Sequence, residues 1–328
     1  MTGLRIGLLS KQRGNYALQE KFSGKENVED HTDFEVAHHK KALLKAGFEV
    51  EVIEWGDSFM HDLKSSKADL VFNVSSLVEA ANLEEAGIPF VGSGTEGIVL
   101  ARNKARAKQI WKNRGIPTSE FAVLDDMDAC EHFLQAPTVP FPLFIKPVKG
   151  RGSAGISSTS LIETPTQFKE NAEILFETIK QPVLVERFLE GREITVGIIG
   201  NGGNTRSLPP LEIRYTGADQ FLTYNKKEQD ADRFICPAPL SDAEANALAD
   251  YAKRAFRALG LRDFTRIDTK LTEDGFMLLE ANSFAGLACD PPENPISYIG
   301  HMARAEGKDG AELFKELIAV CLGRIGEK

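Results

Sequence analysis

The chain is poor in several features that would point to particular classes of protein. Among its 328 residues are four cysteines, Cys130, Cys236, Cys289 and Cys321, and none falls in a C-x-x-C pair or at zinc-ligand spacing. They read as reduced thiols in a cytoplasmic protein. Basic residues are outnumbered, 39 Lys and Arg against 48 Asp and Glu, giving a net charge of −9 with no long basic run. Nucleic acid and anionic membranes are therefore not expected partners, and any site for an anion must be local. No apolar segment approaches membrane-spanning length, and repeats and low-complexity tracts are absent. Residues 1–10 carry too short an apolar run for a signal peptide and are expected to form a first strand.

What is present, 42% hydrophobic and 27% charged residues, suits a globular protein with a large core and two or three compact units. Strands expected at 4–9, 48–54 and 69–74 alternate with a helix over 33–46 ended by Gly47. That order argues for a small α/β unit with a parallel sheet. Ser93 and Glu96 have capping-box spacing, opening a helix that continues through Trp111 and stops at Gly115-Ile116-Pro117. Thr164-Pro165-Thr166-Gln167 starts another capped helix to about residue 180. Ser241 and Glu244 start a third, whose stripe of Leu248, Tyr251, Ala252, Ala255, Phe256 and Leu259 is core and whose end is Gly260. Residues 182–200 give two apolar strands around a polar joint, where a domain boundary is placed, and an amphipathic helix is expected around 311–322.

The densest chemistry lies in 264–282, two half-apolar runs around Glu273-Asp274-Gly275. With Gly275 supplying a positive φ in a three-residue turn, Thr272 pairs with Phe276, Asp268 falls opposite Glu280 and Arg266 faces Asn282. Side-chain alternation then puts those four polar residues on one face and Ile267, Leu271, Leu279 and Ala281 on the other. Two carboxylates and an amide oxygen suit magnesium, and an arginine beside them suits developing negative charge. A solvated face with an Arg/Asp pair would look the same.

Three further features carry charge. Lys104 falls near the middle of its helix, where with Arg102, Arg106 and Lys108 it reads as one of several solvated basic residues. The strand at 141–147 ends in Lys146-Pro147 and leads into Val148-Lys149-Gly150-Arg151-Gly152-Ser153-Ala154-Gly155. Its glycines permit sharp turns and present amide N–H groups to an anion. The loop matches neither GxxxxGK[ST] nor GxGxxG before a helix, so a phosphate cradle and a hairpin tip both fit. Glu186 ends an apolar run and reads either as an acceptor for an amine or sugar hydroxyl or as an edge charge.

The order of these signals is more specific than any of them. A lysine on a capped helix, Ile145-Lys146-Pro147 with its Gly/Ser loop, Val185-Glu186-Arg187-Phe188-Leu189-Glu190-Gly191-Arg192-Glu193, a later lysine, and Arg266-Ile267-Asp268 followed by Leu279-Glu280-Ala281-Asn282 resemble the ATP-grasp superfamily. The closest resemblance is to the D-alanine:D-alanine ligases, over 89–286. It implies a mixed α/β and α+β fold: an N-terminal parallel α/β (pre-ATP-grasp) domain at 1–93, a central subdomain at 94–190 and a C-terminal subdomain at 191–328. The last two would clamp ATP. Carried over by position, Lys104 and Lys146 would hold phosphate oxygens, and Arg151, Gly152, Ser153, Ala154 and Gly155 would cover the β- and γ-phosphates. Glu186 with Arg187, Phe188 and Leu189 would meet the adenine, Glu193 the ribose, and Lys226 the phosphates. Asp268, Glu280 and Asn282 match ligands of Mg2+, for which Mn2+ is a substitute, and Arg266 with the Gly286 amide match the groups that stabilise an oxyanion.

The resemblance thus implies an ATP-dependent carboxylate-amine ligase that works through an acylphosphate. Its partners would be a small carboxylic acid and an amine, expected to be amino acids; homodimers are common in that family. The substrate segments depart from it. Lys11-Gln12-Arg13-Gly14-Asn15-Tyr16 stands where the ligases carry a Gly-rich acidic segment, Asn73 to Glu79 replaces their His-Gly and Gly-Glu-Asp-Gly region, and Cys289-Asp290-Pro291-Pro292-Glu293-Asn294 replaces small hydroxyl residues. Different substrates are therefore expected, with Asp290 or Glu293 near an amine and Lys11 or Arg13 near a carboxylate. A divergent D-alanine:D-alanine ligase and a non-catalytic ATP-binding regulatory protein are the alternatives.

Overall fold

The computed structural model describes residues 3–10, 31–54, 56, 58–73, 77–150, 155–215, 233–290 and 296–326. The first layer is a parallel sheet of β1 (Arg5–Leu9), β2 (Glu49–Ile53), β3 (Leu70–Phe72) and β4 (Phe90–Val91), in the order β2-β1-β3-β4. It is connected through α1 (His31–Lys45), α2 (Phe59–Ser65) and α3 (Leu77–Glu85). Gly47 takes φ +89°, the left-handed turn that only glycine adopts without strain, so α1 ends where the sequence expects it to.

The next helix is not one but two, α4 (Thr95–Arg102) and α5 (Lys104–Asn113). Asn103 is extended and bridges to Lys149, its side chain accepts from Arg106 N at 3.0 Å, and Lys104 N donates to Val148 O at 3.0 Å instead of continuing α4. The break makes Lys104 the first residue of a helix rather than a mid-helix residue. The expected cap also differs: Gly94 precedes α4, while the buried Ser93 hydroxyl exchanges hydrogen bonds with the Arg262 backbone.

A second, antiparallel sheet follows, from β5 (Phe121–Leu124), β6 (Leu143–Pro147), β7 (Leu161–Ile162) and β8 (Val183–Arg187), with α6 (Met127–Gln135) and α7 (Pro165–Ile179) packed on it. Thr164 and Gln167 form the expected capping box at the start of α7. The third sheet holds β9 (Arg192–Ile199), β10 (Arg206–Ser207), β11 (Leu211–Arg214), β12 (Arg233–Ile235), then, after α8 (Asp242–Ala258), β13 (Phe264–Thr272) and β14 (Gly275–Asn282). The chain closes with α9 (Tyr298–Ala305) and α10 (Gly310–Gly326). Helix α8 carries its capping box and buries Leu248, Ala252, Ala255 and Phe256 behind the third sheet. Helix α10 turns back to the first sheet, stacking Phe314 on Phe72 with ring centroids 5.0 Å apart.

The hairpin reaches the expected site register by another route. Thr272 pairs with Gly275, so the turn is one residue shorter than expected. A bulge at Leu279 then restores the offset, and Asp268 faces Glu280 and Arg266 faces Asn282 as the sequence pattern requires. The bulge also changes the apolar face: Leu278, not Leu279, joins Ile267 and Ala281 in the core. No described helix is long and apolar enough to cross a membrane.

Candidate active site

The second and third sheets meet around α5, and the charged residues gather there. Strand β6 presents Lys146, β8 presents Glu186, and the start of α5 presents Lys104. From the third sheet come Arg266 and Asp268 on β13, Glu280 and Asn282 on β14, and Glu193 on β9. Lys104 and Lys108 are both buried, against the solvated reading of that helix.

Glu186 is the centre of one cluster. One carboxylate oxygen pairs with Lys146 Nζ, and the other takes Lys108 Nζ at 2.6 Å and the Ser119 hydroxyl at 2.7 Å. Burial pushes the Glu186 pKa up, but Lys108 and Lys146 outweigh it and hold the carboxyl at about 2. Lys108 is completely enclosed and also donates to Thr118 Oγ1 at 2.7 Å and to Leu278 O at 3.2 Å. Burial lowers its pKa to about 8 despite the attraction of Glu186. This lysine thus ties the second sheet to the hairpin of the third, a link that the sequence pattern does not show.

Lys104 bridges the same gap, reaching Glu280 at 3.1 Å and Gly150 O at 3.3 Å. Burial raises the Glu280 pKa, yet Lys104 and Lys146, with a smaller contribution from Arg266, hold it near 2. Beside it Arg266 forms a two-bond pair with Asp268, both contacts 2.7 Å, and its guanidinium lies 4.7 Å from the Tyr298 ring centroid. Burial alone would lower the Arg266 pKa; the Asp268 charge raises it, so the guanidinium stays ionised. Asp268 also accepts from the Thr195 hydroxyl at 2.6 Å and from Asn282 Nδ2 at 2.8 Å. Glu193 lies 3.5 Å from Lys270, and burial pushes its pKa up against the pull of Lys270 and a Tyr215 hydrogen bond.

The donor set fits a hard divalent cation. Among the described residues no three His, Cys, Asp or Glu side chains gather, and the third oxygen here is the Asn282 amide. Two register-paired carboxylates and that amide are the all-oxygen chemistry Mg2+ takes. Lys104 and Arg266 supply the compensating positive charge. Asn282 turns its nitrogen to Asp268, so its amide must rotate to offer oxygen to a shared ion.

The remaining expected positions divide between placed and undescribed. Arg187 is exposed, while Phe188 and Leu189 are half-buried beyond β8, with Phe188 stacked 6.3 Å from Phe144. Gly155 has φ +79°, and a Cβ there would come within 2.5 Å of the Pro147 ring, so only glycine fits. Gly286 follows the hairpin, where a Cβ would meet Ser297 Cβ at 3.1 Å. Arg151, Gly152, Ser153, Ala154 and Lys226 lie outside the described residues, as do Lys11, Arg13 and Glu293. Asp290 is described: its Oδ1 accepts from Gly310 N at 3.1 Å and so caps the start of α10. Thr195, Ser119, Lys108 and Tyr298 are the participants that the sequence pattern did not single out.

Comparison with known proteins gives a consistent set of similarities. Residues 110–319 match the family model described as D-ala D-ala ligase C-terminus. The D-alanine–D-alanine ligase of Bordetella petrii is 31% identical over 293 residues, covering 85% of this chain and 84% of that protein. The ligase of Desulfovibrio desulfuricans is 32% identical over 249 residues, covering 76% of each. Among solved structures, the D-alanine–D-alanine ligase from Bacillus anthracis complexed with ATP has a TM-score of 0.75 at 20% identity, over 100% of this chain and 99% of that one.

Proposed function

Because this chain belongs to the D-alanine:D-alanine ligase family of ATP-grasp enzymes, we propose that it uses ATP to join two amino acids, D-alanine serving as both. The observation that carries the reading is the cluster of Lys104, Lys146, Arg266, Asp268, Glu280 and Asn282, gathered from two sheets and the start of α5, all but Lys104 within the family match over 110–319. The relatives are D-alanine ligases, which favours that substrate over the different one argued from the rebuilt substrate segments. The division at 93/94 and 190/191 belongs to the same proposal and is supported by β4 and β5, and β8 and β9, lying in different sheets.

In this reading the carboxylate of the first amino acid attacks the γ-phosphorus, and ADP leaves. The amine of the second then adds to the acylphosphate carbon and loses a proton, and phosphate departs. Lys104, Lys146 and Lys226 hold phosphate oxygens, with residues 151–155 covering them. Residues 186–189 face the adenine and Glu193 the ribose. Asp268, Glu280 and the Asn282 oxygen hold Mg2+, which when bound neutralises phosphate charge. Arg266 cannot swing freely, since Asp268 grips it on one side and Tyr298 covers the other. It can therefore offer a fixed positive charge, with the Gly286 N–H, where the oxyanion forms.

The test is phosphate release from magnesium-ATP with D-alanine, against a panel of D- and L-amino acids. D-alanine should support turnover, and Arg266→Met should lower kcat by about 10²-fold or more, the usual loss for one oxyanion donor. Turnover only with another pair would return the substrate to the divergent reading; ATP binding without amine-dependent release would leave a nucleotide-binding protein.

A further inference from the structure

Beyond Gly286 the chain runs past α1, α9 and the start of α10. Ala288 O accepts from Ser297 N at 2.9 Å and from its hydroxyl at 3.0 Å, and Cys289 O accepts from Arg304 at 3.5 Å. Two consecutive amides, those of Cys289 and Asp290, turn the other way. Both donate to one atom, Nε2 of His38 in α1, at 3.4 and 3.3 Å. His38 is buried, 8% exposed. An imidazole nitrogen that accepts from two N–H groups must carry its lone pair, so this ring is neutral with its proton on Nδ1.

We propose that His38 is a positioning residue for residues 286–290: its neutral Nε2 fixes that segment against α1, and a proton on Nε2 releases it. Protonation turns the acceptor into a donor that faces two donors, and both amides lose their partner, that of Cys289 in a buried place and that of Asp290 in a half-buried one. The groups around the ring set the balance. Burial pushes the His38 pKa below its ordinary value, Asp290 pulls it up and Lys41 pushes it down. The His39 ring meets it edge on at 6.0 Å. Arg304 lies across the Cys289 carbonyl, and Asp309 and Glu312 add negative charge on the α10 side of Cys289. The imidazolium formed on protonation therefore has a counter-charge at hand in Asp290, whose carboxylate otherwise caps α10.

The consequence for catalysis rests on the ligase reading, because it is there that Gly286 supplies an oxyanion N–H and the segment after it borders the second amino acid. Movement of 288–290 would displace both. The arrangement of His38 itself stands apart from that reading, and the experiment separates them.

Amide exchange at Cys289 and Asp290 is to be followed in the full-length protein from about pH 5 to 8, in the native chain, His38→Gln and His38→Leu. Gln places an amide oxygen near the former Nε2 and accepts at every pH. Protection in the native protein should fall as pH drops through the His38 pKa, persist in His38→Gln and be missing throughout in His38→Leu. In turnover assays His38→Leu should raise KM for the second amino acid about tenfold, the effect of losing the acceptor that two long hydrogen bonds share, with KM for ATP unchanged. The native enzyme should show that rise at acid pH and His38→Gln should not. Equal acid dependence in the native and Gln proteins, or protected amides in His38→Leu, would overturn the assignment. The expected exchange pattern without any ligation would support His38 as the latch while overturning the ligase reading.

Discussion

Lys108, on α5, has no contact with solvent, and its charge is held there by a partner, Glu186, that lies on β8 of the second sheet. Removing one member of a buried pair typically costs about 3–5 kcal/mol when the other is left uncompensated. Glu186 keeps Lys146 and the Ser119 hydroxyl, so Lys108→Met should lower unfolding free energy by less, about 2 kcal/mol at neutral pH. The pH dependence follows from the carboxylates. Glu186 and Glu280 are both held near 2 in the folded chain, below their ordinary value, so their stabilisation is fully present above the unfolded pKa, about 4.3, and is lost as pH falls towards 2. With Lys108 gone the Glu186 pKa rises, and the acid decline in a melting series should begin at higher pH than in the native protein. An unmoved acid limb would mean that Lys146 alone sets Glu186. None of this is legible along the helix, where Arg102, Lys104, Arg106 and Lys108 follow one another at every second position. Which lysine is enclosed depends on strands that arrive much later in the chain.

At the scale of elements, the strongest readings were those fixed by local chemistry. Capping boxes at Thr164 and Ser241 and a glycine in left-handed conformation after α1 need only neighbouring residues, and they appear as expected, whereas the alternation of β14 is broken by the bulge, which puts Leu278 instead of Leu279 in the core. The register between Asp268 and Glu280 was legible for a partly accidental reason: a shorter turn and a bulge at Leu279 cancel. The break between α4 and α5 was not legible, because its cause is the pairing of Asn103 and Lys104 with residues 148–149. Asn103 caps α5 through its side chain, and Asn103→Ala should cost about 1 kcal/mol, the usual value for such a cap, whereas Asn103→Asp should cost little. Since that cap holds the turn that delivers Lys104 to Glu280, the Ala variant should also raise KM for ATP. Equal denaturation midpoints for Asn103→Ala and the native chain would show that the Val148 carbonyl alone fixes the break.

At the scale of the molecule, the three sheets could have been three separately folding units, as the linear division at 93 and 190 suggests. The packing argues otherwise for the first and last. One hydrophobic cluster contains Ile6, Leu8 and Phe72 from the first sheet, Phe264 and Leu211 from the third, and Phe314, Leu317 and Ile318 from α10. Asp263 sits at the polar seam of this junction. Fully buried and at φ +64°, it accepts from Gly92 N at 2.9 Å, Asn201 Nδ2 at 2.9 Å and Arg324 through two contacts of 2.8 Å, while Arg324 also holds Phe90 O at 2.8 Å. The sequence offers no signal for this arrangement, since its partners Gly92, Asn201 and Arg324 are scattered far apart along the chain. Asp263→Ala would strand the guanidinium and two further donors, so a loss of about 3–5 kcal/mol is expected. Asp263→Asn, which tolerates the left-handed backbone and keeps one carbonyl oxygen, should lose less. Because the apolar cluster is shared, urea unfolding of Asp263→Ala should remain a single transition at a lower midpoint with an unchanged slope. A separate early transition reporting on the first sheet would show instead that the Asp263 seam, and not the shared core, joins the two ends of the protein.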